Sequence, residues 1–125
     1  MTNIPGSSSV EGYTINIDAN GGATAPAFNS GTSSVRLYAK NTLTIKGAKF
    51  TKIVVTLASD AGYRYTSFTP SVGKLNPAQQ KEDTTITWEG DATEVTFTVG
   101  DKATMGSDGD SKAGQIRFSK IEIIK

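Results

Sequence analysis

In several segments of this chain, hydrophobic residues recur at every second position. No segment sustains the 3.6-residue spacing of an amphipathic helix. Alternate side chains of a β-strand face opposite sides of a sheet, so this spacing predicts strands with one buried face. The alternating segments are 13–17, 35–45, 52–58, 85–89, 94–99 and 116–123, and a long polar loop is expected over 19–34. The pattern predicts an all-β fold, a single antiparallel β-sandwich of jelly-roll or Ig-like type.

Turn residues predict how some of these strands are connected. The segment 35–45 is either a hairpin with a three-residue loop, Ala39-Lys40-Asn41, or one long strand. In the hairpin, Asn41 would occupy the left-handed position that asparagine tolerates. Gly90-Asp91 is expected to turn the chain between the segments 85–89 and 94–99.

Two features of the later strands follow from the phase of the alternation. Ile116 and Phe118 are in phase with each other, but the isoleucines that follow have the opposite parity. A one-residue slip near Ser119-Lys120, most simply a β-bulge, explains the change. Trp88 is in phase with Ile86, which favours a place in the core over a role as a ligand platform.

The chain length fits a single domain covering 1–125, with residues 1–12 as an N-terminal arm. The sequence of 125 residues contains no cysteine, which excludes disulfides, thiolate zinc sites and a cysteine nucleophile. A globule of this size buries roughly two-thirds of the surface of its unfolded chain, so it needs no such crosslink.

Charge and hydropathy each exclude one class of partner. The net charge is +1 and the 13 basic residues are spread along the chain, so the footprint of a nucleic-acid binder is missing. No apolar stretch approaches the length of a membrane span, and no membrane insertion is expected. The first nine residues lack the charged head and apolar core of a signal peptide. Either an export signal has been removed from this chain, or the protein is made and used without one.

Catalysis is not expected. The absence of histidine removes the commonest general base and the commonest metal ligand. Glu89, Asp91 and Glu94 flank the predicted turn and resemble solvated strand ends more than carboxylates facing across a cleft. We therefore predict a protein that is not an enzyme and needs no cofactor.

One loop has the chemistry of a metal site. Asp108 and Asp110 are separated by one residue within a Gly- and Ser-rich loop, which makes them a candidate calcium site. The EF-hand pattern is not matched, because no glutamate follows at the required distance. A hydrophilic hairpin loop that uses Gly and Asp for its turn is the favoured interpretation, so no metal is assigned.

Aromatic residues give the strongest indication of binding. Tyr63, Arg64, Tyr65 and Phe68 lie close together after a predicted strand. Aromatic faces stack on sugars or partner side chains, and arginine adds planar donors. If the segment is extended, the two tyrosines share a face and Arg64 lies opposite. The alternative is that two of these aromatic residues cap one end of the sandwich.

Two more binding candidates lie on the polar face of one strand. Arg36 and Tyr38 alternate with buried-face residues and could line a groove, or they could be ordinary surface residues. They form a second group of candidates, after the aromatic segment.

The sequences of the strands and turns resemble those of a known module. The segments that carry the resemblance are VRLYAKNTLTI (35–45), TKIVVT (51–56), FTPSVG (68–73), TWEG (87–90), VTFT (95–98) and GQIRFSKIEI (114–123). They are similar to an accessory β-sandwich, of jelly-roll type, that recurs in secreted and surface proteins of Bacteroidetes-type bacteria. The segment 74–83 and the acidic loop at 108–110 are longer than the module usually carries.

The resemblance implies a module without catalytic residues that is displayed outside the cell or at its surface. We expect it to contact carbohydrate or a surface protein. Phages that infect such bacteria use sandwich modules of similar architecture as capsid decorations and fibres. The alternative is therefore a structural protein of a virion or surface layer, located in the virion and bound to a capsid or layer protein.

Overall fold

The computed structural model describes residues 7–10, 12–29, 34–59, 61–81, 83–107, 109 and 111–125. The described residues form nine strands and one short 3-10 turn. The strands are β1 (Ser7–Val10), β2 (Tyr13–Asp18), β3 (Ala27–Asn29), β4 (Ser34–Tyr38), β5 (Thr42–Leu57), β6 (Phe68–Pro70), β7 (Lys74–Leu75), β8 (Thr85–Val99) and β9 (Gln115–Ile124). All pairings between these strands are antiparallel. The predicted all-β antiparallel sandwich is confirmed.

Two long strands organise the sandwich. β5 has 16 residues and β8 has 15, and the two pair with each other along most of their length. Near its start β5 also pairs with β2, whereas near its end it pairs with β9. A first layer therefore has the order β1-β2-β5-β8-β6, and a second layer has the order β3-β4-β9-β5-β8-β7.

The two layers share one hydrophobic core. The buried side chains include Ile15, Leu43 and Phe97 of the first layer, and Val55, Ile86 and Phe118 of the second. No helix in the described part of the chain is long and apolar enough to span a membrane.

β5 and β8 pass from one layer to the other through bends. The register of their pairing shifts around Phe50, whose side chain turns inward at a position out of phase with the rest of β5. Its ring lies 6.0 Å from that of Tyr13 and 5.4 Å from that of Trp88, measured between centroids. Trp88 is 1% exposed, which confirms its assignment to the core.

The predicted turn at Gly90-Asp91 was wrong. β8 continues through both residues and bends there without reversing. Gly90 is needed for a different reason, because a Cβ at this position would lie 2.6 Å from Cζ2 of Trp88. The glycine makes room for the buried indole ring at the bend.

Both interpretations of the segment 35–45 were also wrong. β4 pairs with β3 and β9 in the second layer, whereas β5 begins in the first layer. Ala39-Lys40-Asn41 is a corner between the layers and not a hairpin loop. Lys40, with a φ of 71°, holds the left-handed conformation that was expected for Asn41.

The β-bulge in the last strand is confirmed. Leu57 pairs with Phe118 and Thr56 pairs with Lys120, so Ser119 is the extra residue. The predicted N-terminal arm contains β1, which forms an antiparallel pair with β2. The loop expected over 19–34 likewise contains β3, which pairs with β4.

Candidate functional site

The aromatic segment does not have the expected extended conformation. Gly62–Arg64 forms a 3-10 turn, after which the chain extends at Tyr65. Tyr65 and Phe68 are both 0% exposed, and the Phe68 ring stacks on that of Phe97 at 4.7 Å. These two side chains belong to the core, as the alternative interpretation had it, and a ligand cannot reach them in this conformation.

The Tyr65 hydroxyl instead belongs to a structural hydrogen-bond network. It donates to Asp83 Oδ2 at 3.1 Å and accepts from Gln79 Nε2 at 3.0 Å. The same amide of Gln79 reaches the Thr66 carbonyl at 3.0 Å and the Phe68 N–H at 2.8 Å. Burial raises the pKa of Tyr65, and the nearby Asp83 carboxylate raises it further. The network fastens the loop after β7 to the end of the sandwich.

The structure describes only some of the other predicted residues of the aromatic segment and of the candidate calcium site. The side chain of Tyr63 lies outside the described residues, and Arg64 is half-buried. Asp108 and Asp110 also lie outside the described residues. Within the described part, no three His, Cys, Asp or Glu residues come together as a metal site.

Arg36 and Tyr38 lie on the outer face of the second layer. In the pairing of β4 with β9, Arg36 lies opposite Arg117 and Tyr38 lies opposite Gln115. Directly opposed side chains on one face of an antiparallel pair are about 5 Å apart at Cβ. We call these four residues the β4–β9 outer face.

The β4–β9 outer face is polar and partly ordered by its own contacts. Arg117 Nε donates to Gln115 Oε1 at 2.9 Å, and Arg117 is only 4% exposed. Arg36, Tyr38 and Gln115 are half-buried. This face presents the ring of Tyr38 beside the Gln115 amide and the half-buried Arg36, while the Arg117 guanidinium lies buried beneath them.

A cleft of about 280 Å³ opens at the end of β4, where the chain turns the corner between the layers. It is lined by Ala23, Ala39, Lys40, Asp101 and Lys102, and we call it the end cleft. Both lysines and the aspartate are exposed, and the alanines contribute small apolar surfaces.

A buried asparagine fixes the wall of the end cleft. Asn41 is 0% exposed and accepts the Tyr38 N–H through Oδ1 at 2.7 Å. Its Nδ2 donates to the carbonyls of Ala19 and Thr24, at 3.2 and 2.9 Å. These bonds hold the 19–24 loop, which carries Ala23, against the corner. The close approach requires Gly22, since a Cβ there would lie 2.5 Å from the Ala39 carbonyl oxygen.

The β4–β9 outer face and the end cleft are neighbours. Lys102 forms a bridge with Ala113, only two residues before Gln115, the partner of Tyr38. Gly114 between them donates its N–H to the Asp101 carbonyl at 3.0 Å. The start of β9 therefore joins the aromatic ring on one side to the charged cleft on the other.

The carboxylates considered for catalysis lie elsewhere, along β8. Asp91 pairs with Lys49 at 3.3 Å, and Glu89 Oε1 accepts from Asn76 Nδ2 at 3.0 Å. Glu94 is exposed and lies opposite Lys46 in the pairing with β5. These contacts are those of surface residues on a sheet.

Sequence reasoning missed five residues of this region: Gln115, Arg117, Lys40, Asp101 and Lys102. The outward orientation of Arg117 was readable from its place between Ile116 and Phe118. Its position beside Arg36 was not, because it depends on the pairing of two strands far apart in the chain. No local pattern marked the two lysines of the end cleft.

A search against models of protein families found no match, and neither did searches of curated proteins and of solved structures. The resemblance to the bacterial surface module thus rests on the strand and turn motifs alone.

Proposed function

We propose that this chain is a non-catalytic binding module, displayed at a surface, that contacts carbohydrate through the β4–β9 outer face and the end cleft. The observation that carries the proposal is the position of Tyr38, a half-buried ring on a rigid strand next to a cleft with charged walls. Sugar rings combine apolar C–H faces with many hydroxyls, and such ligands are bound by an aromatic surface flanked by hydrogen-bonding groups.

The chemistry of the surrounding groups supports this ligand class. Gln115 supplies a planar amide and Arg36 supplies planar donors, whereas the buried Arg117 positions the Gln115 amide through its Nε. Asp101 in the end cleft can accept from hydroxyls, and the lysine ammoniums can donate to ring oxygens. Because Arg36, Tyr38 and Gln115 are held on strands and the 39–41 corner is fixed by Asn41, the backbone of these parts of the site is ordered before binding.

Assembly into a virion or surface layer is the second candidate, and the exposed apolar surface does not favour it. Among the described residues, the large hydrophobic side chains that are exposed are Val72 (46%) and Ile124 (44%). Val72 precedes β7 and Ile124 ends β9, with β8 and β5 lying between them. Two isolated side chains of this kind form no patch that would require a partner.

A glycan array with purified protein tests the proposal, followed by calorimetry on the glycans that bind. We expect Tyr38→Ala to weaken binding at least tenfold, because the aromatic surface is lost. Tyr65→Phe is the matched control, since its hydroxyl lies inside the core network and should not affect the ligand.

Two outcomes would contradict this proposal. Equal binding by Tyr38→Ala and the unchanged protein would remove the β4–β9 outer face from the site. A protein that binds no glycan, and instead elutes with a capsid or layer protein when isolated from its source, would establish the assembly function.

A further inference from the structure

We infer that the end cleft is a subsite for an acidic sugar, with Lys40 and Lys102 holding the carboxylate of a uronic acid unit. This inference rests on the proposed carbohydrate-binding function and names the class of sugar. It follows from the backbone conformation of Lys40, from the charges of the cleft, and from its size.

The conformation of Lys40 is the first argument. With a φ of 71° it lies in the left-handed region, where glycine and asparagine are favoured and a lysine is strained. The corner itself needs only the backbone, whose Lys40 N–H donates to the Val99 carbonyl at 3.0 Å. A glycine would serve the corner better, so the lysine side chain has a use of its own.

The charges of the cleft are the second argument. Two lysines and one aspartate give its walls a net charge of +1, in a chain whose total charge is also +1. The ion pairs that join described residues, Lys49–Asp91 and Lys120–Glu122, lie away from the cleft. Lys40 and Lys102 are exposed residues, and neither forms an ion pair with an acidic residue in the described part of the chain.

The carboxylate of Asp101 limits the kind of anion that the end cleft can bind. A carboxylate wall repels a compact, highly charged ion such as phosphate, but it accepts hydrogen bonds from neutral hydroxyls. A ligand that suits both lysines and the aspartate carries one negative charge beside several hydroxyls. A uronic acid unit of a polysaccharide has this arrangement.

The size and walls of the cleft agree with this ligand. Its volume of about 280 Å³ lies just below the range of small-molecule sites, about 300–1,000 Å³, which suits a single sugar unit. Ala23 and Ala39 leave room and offer methyl groups to the C–H face of the ring. The neighbouring Tyr38 and Gln115 would then contact the next unit of the chain.

Calorimetry with trigalacturonate, its methyl ester and a neutral galactose trisaccharide tests the inference. We expect trigalacturonate to bind at least tenfold more tightly than the other two, with an affinity that falls as salt is raised. Lys40→Gly and Lys102→Gln should each weaken its binding at least fivefold. Lys74→Gln, an exposed lysine on β7 away from the cleft, is the matched control and should bind as the unchanged protein does.

Lys40→Gly also separates binding from folding. Glycine adopts a positive φ without strain, and this gain offsets the larger conformational entropy that glycine gives the unfolded chain, so the variant should melt at about the same temperature. Lost binding in a variant that is equally stable assigns the ammonium to the ligand.

The outcomes distinguish the inference from the function on which it rests. If neutral glycans bind as well as acidic ones, or if both lysine variants keep full affinity for trigalacturonate, the acidic subsite is wrong and the binding module stands. If no acidic or neutral glycan binds, both the inference and the proposed function fail.

Discussion

At the scale of single residues, the side chain of Asn41 fills the corner between the layers with all of its polar groups bonded. Replacing it with alanine leaves the Tyr38 N–H and the Thr24 carbonyl without their partner, whereas the Ala19 carbonyl still accepts the Gly22 N–H at 2.8 Å. We expect Asn41→Ala to lower the free energy of unfolding by roughly 3 kcal/mol, since each unsatisfied group costs about 1–3 kcal/mol and water can reach part of the gap. Denaturant titration measures this loss.

Asn20→Gly is the control for Asn41, because glycine keeps the φ of 49° at this position without strain. The Asn20 amide also reaches the corner, donating to the Lys40 carbonyl at 3.2 Å, but the residue is exposed. Water replaces that bond, so the loss should be under about 1 kcal/mol. Equal losses for the two variants would show that burial of Asn41 is not what stabilises the corner.

Also at the residue scale, Tyr65 should make stability sensitive to alkaline pH. Its pKa is raised in the folded protein, chiefly by burial, so the folded state holds the proton after the unfolded state has released it. The protonated Tyr65 therefore contributes fully to the free energy of unfolding below pH 10, which is about the pKa of tyrosine in the unfolded chain. As pH rises above this value the contribution is lost, at up to about 1.4 kcal/mol per pH unit.

The test is denaturant titration of the unchanged protein and of Tyr65→Phe between pH 8 and 11. The variant loses the bonds to Asp83 and Gln79, so it should be less stable at pH 8 by about 1–2 kcal/mol. The gap between the two proteins should narrow above pH 10. A constant difference in free energy of unfolding across this range would show that Tyr65 has the same pKa in the folded and the unfolded protein.

At the scale of elements, β8 depends on the contact between Gly90 and Trp88. Gly90→Ala would place a methyl group against Cζ2 and Cη2 of the buried ring, and we expect a loss of about 2 kcal/mol. Trp88→Phe alone should also destabilise, because it leaves a cavity. The double variant should lose clearly less than the sum, since the smaller ring makes room for the methyl group. Additive losses in denaturant titration would contradict this packing argument.

The elements also show what the sequence could and could not predict. Alternation identified the buried faces of β2, β4, β8 and β9, because it depends only on neighbouring residues. It did not identify strand partners, which depend on contacts across the whole fold, so β4 was assigned to β5 instead of β9. Gly90 was taken for a turn residue because a glycine that accommodates a ring and one that permits a turn look alike in sequence.

The candidate site was predicted only in part for the same reason. Arg36 and Tyr38 were found because their outward orientation follows from the alternation. Tyr65 and Phe68 were misassigned, since an aromatic residue in a loop has no local signal that tells burial from exposure. The end cleft joins three distant segments, so only the folded chain brings Lys40 and Lys102 together.

At the scale of the whole molecule, β5 and β8 run through both layers, so neither layer has a complete set of strands without the other. If residues 1–125 form one domain, as predicted, the two layers should therefore unfold together in one cooperative transition. Ile15 of β2 and Ile116 of β9 are both 0% exposed, one in each layer. We expect Ile15→Ala and Ile116→Ala each to lower the free energy of unfolding by about 2–5 kcal/mol.

Hydrogen exchange read by mass spectrometry decides whether the layers unfold together. If they form one cooperative unit, either substitution lowers protection by the same factor in the slowest-exchanging peptides of both layers. Trp88 fluorescence and far-ultraviolet circular dichroism should then report one coincident unfolding transition. If Ile15→Ala loosens only β1 and β2 while the second layer keeps its protection, the layers are separate units. The shared strands would then not be enough to couple the first layer to the layer that carries the β4–β9 outer face.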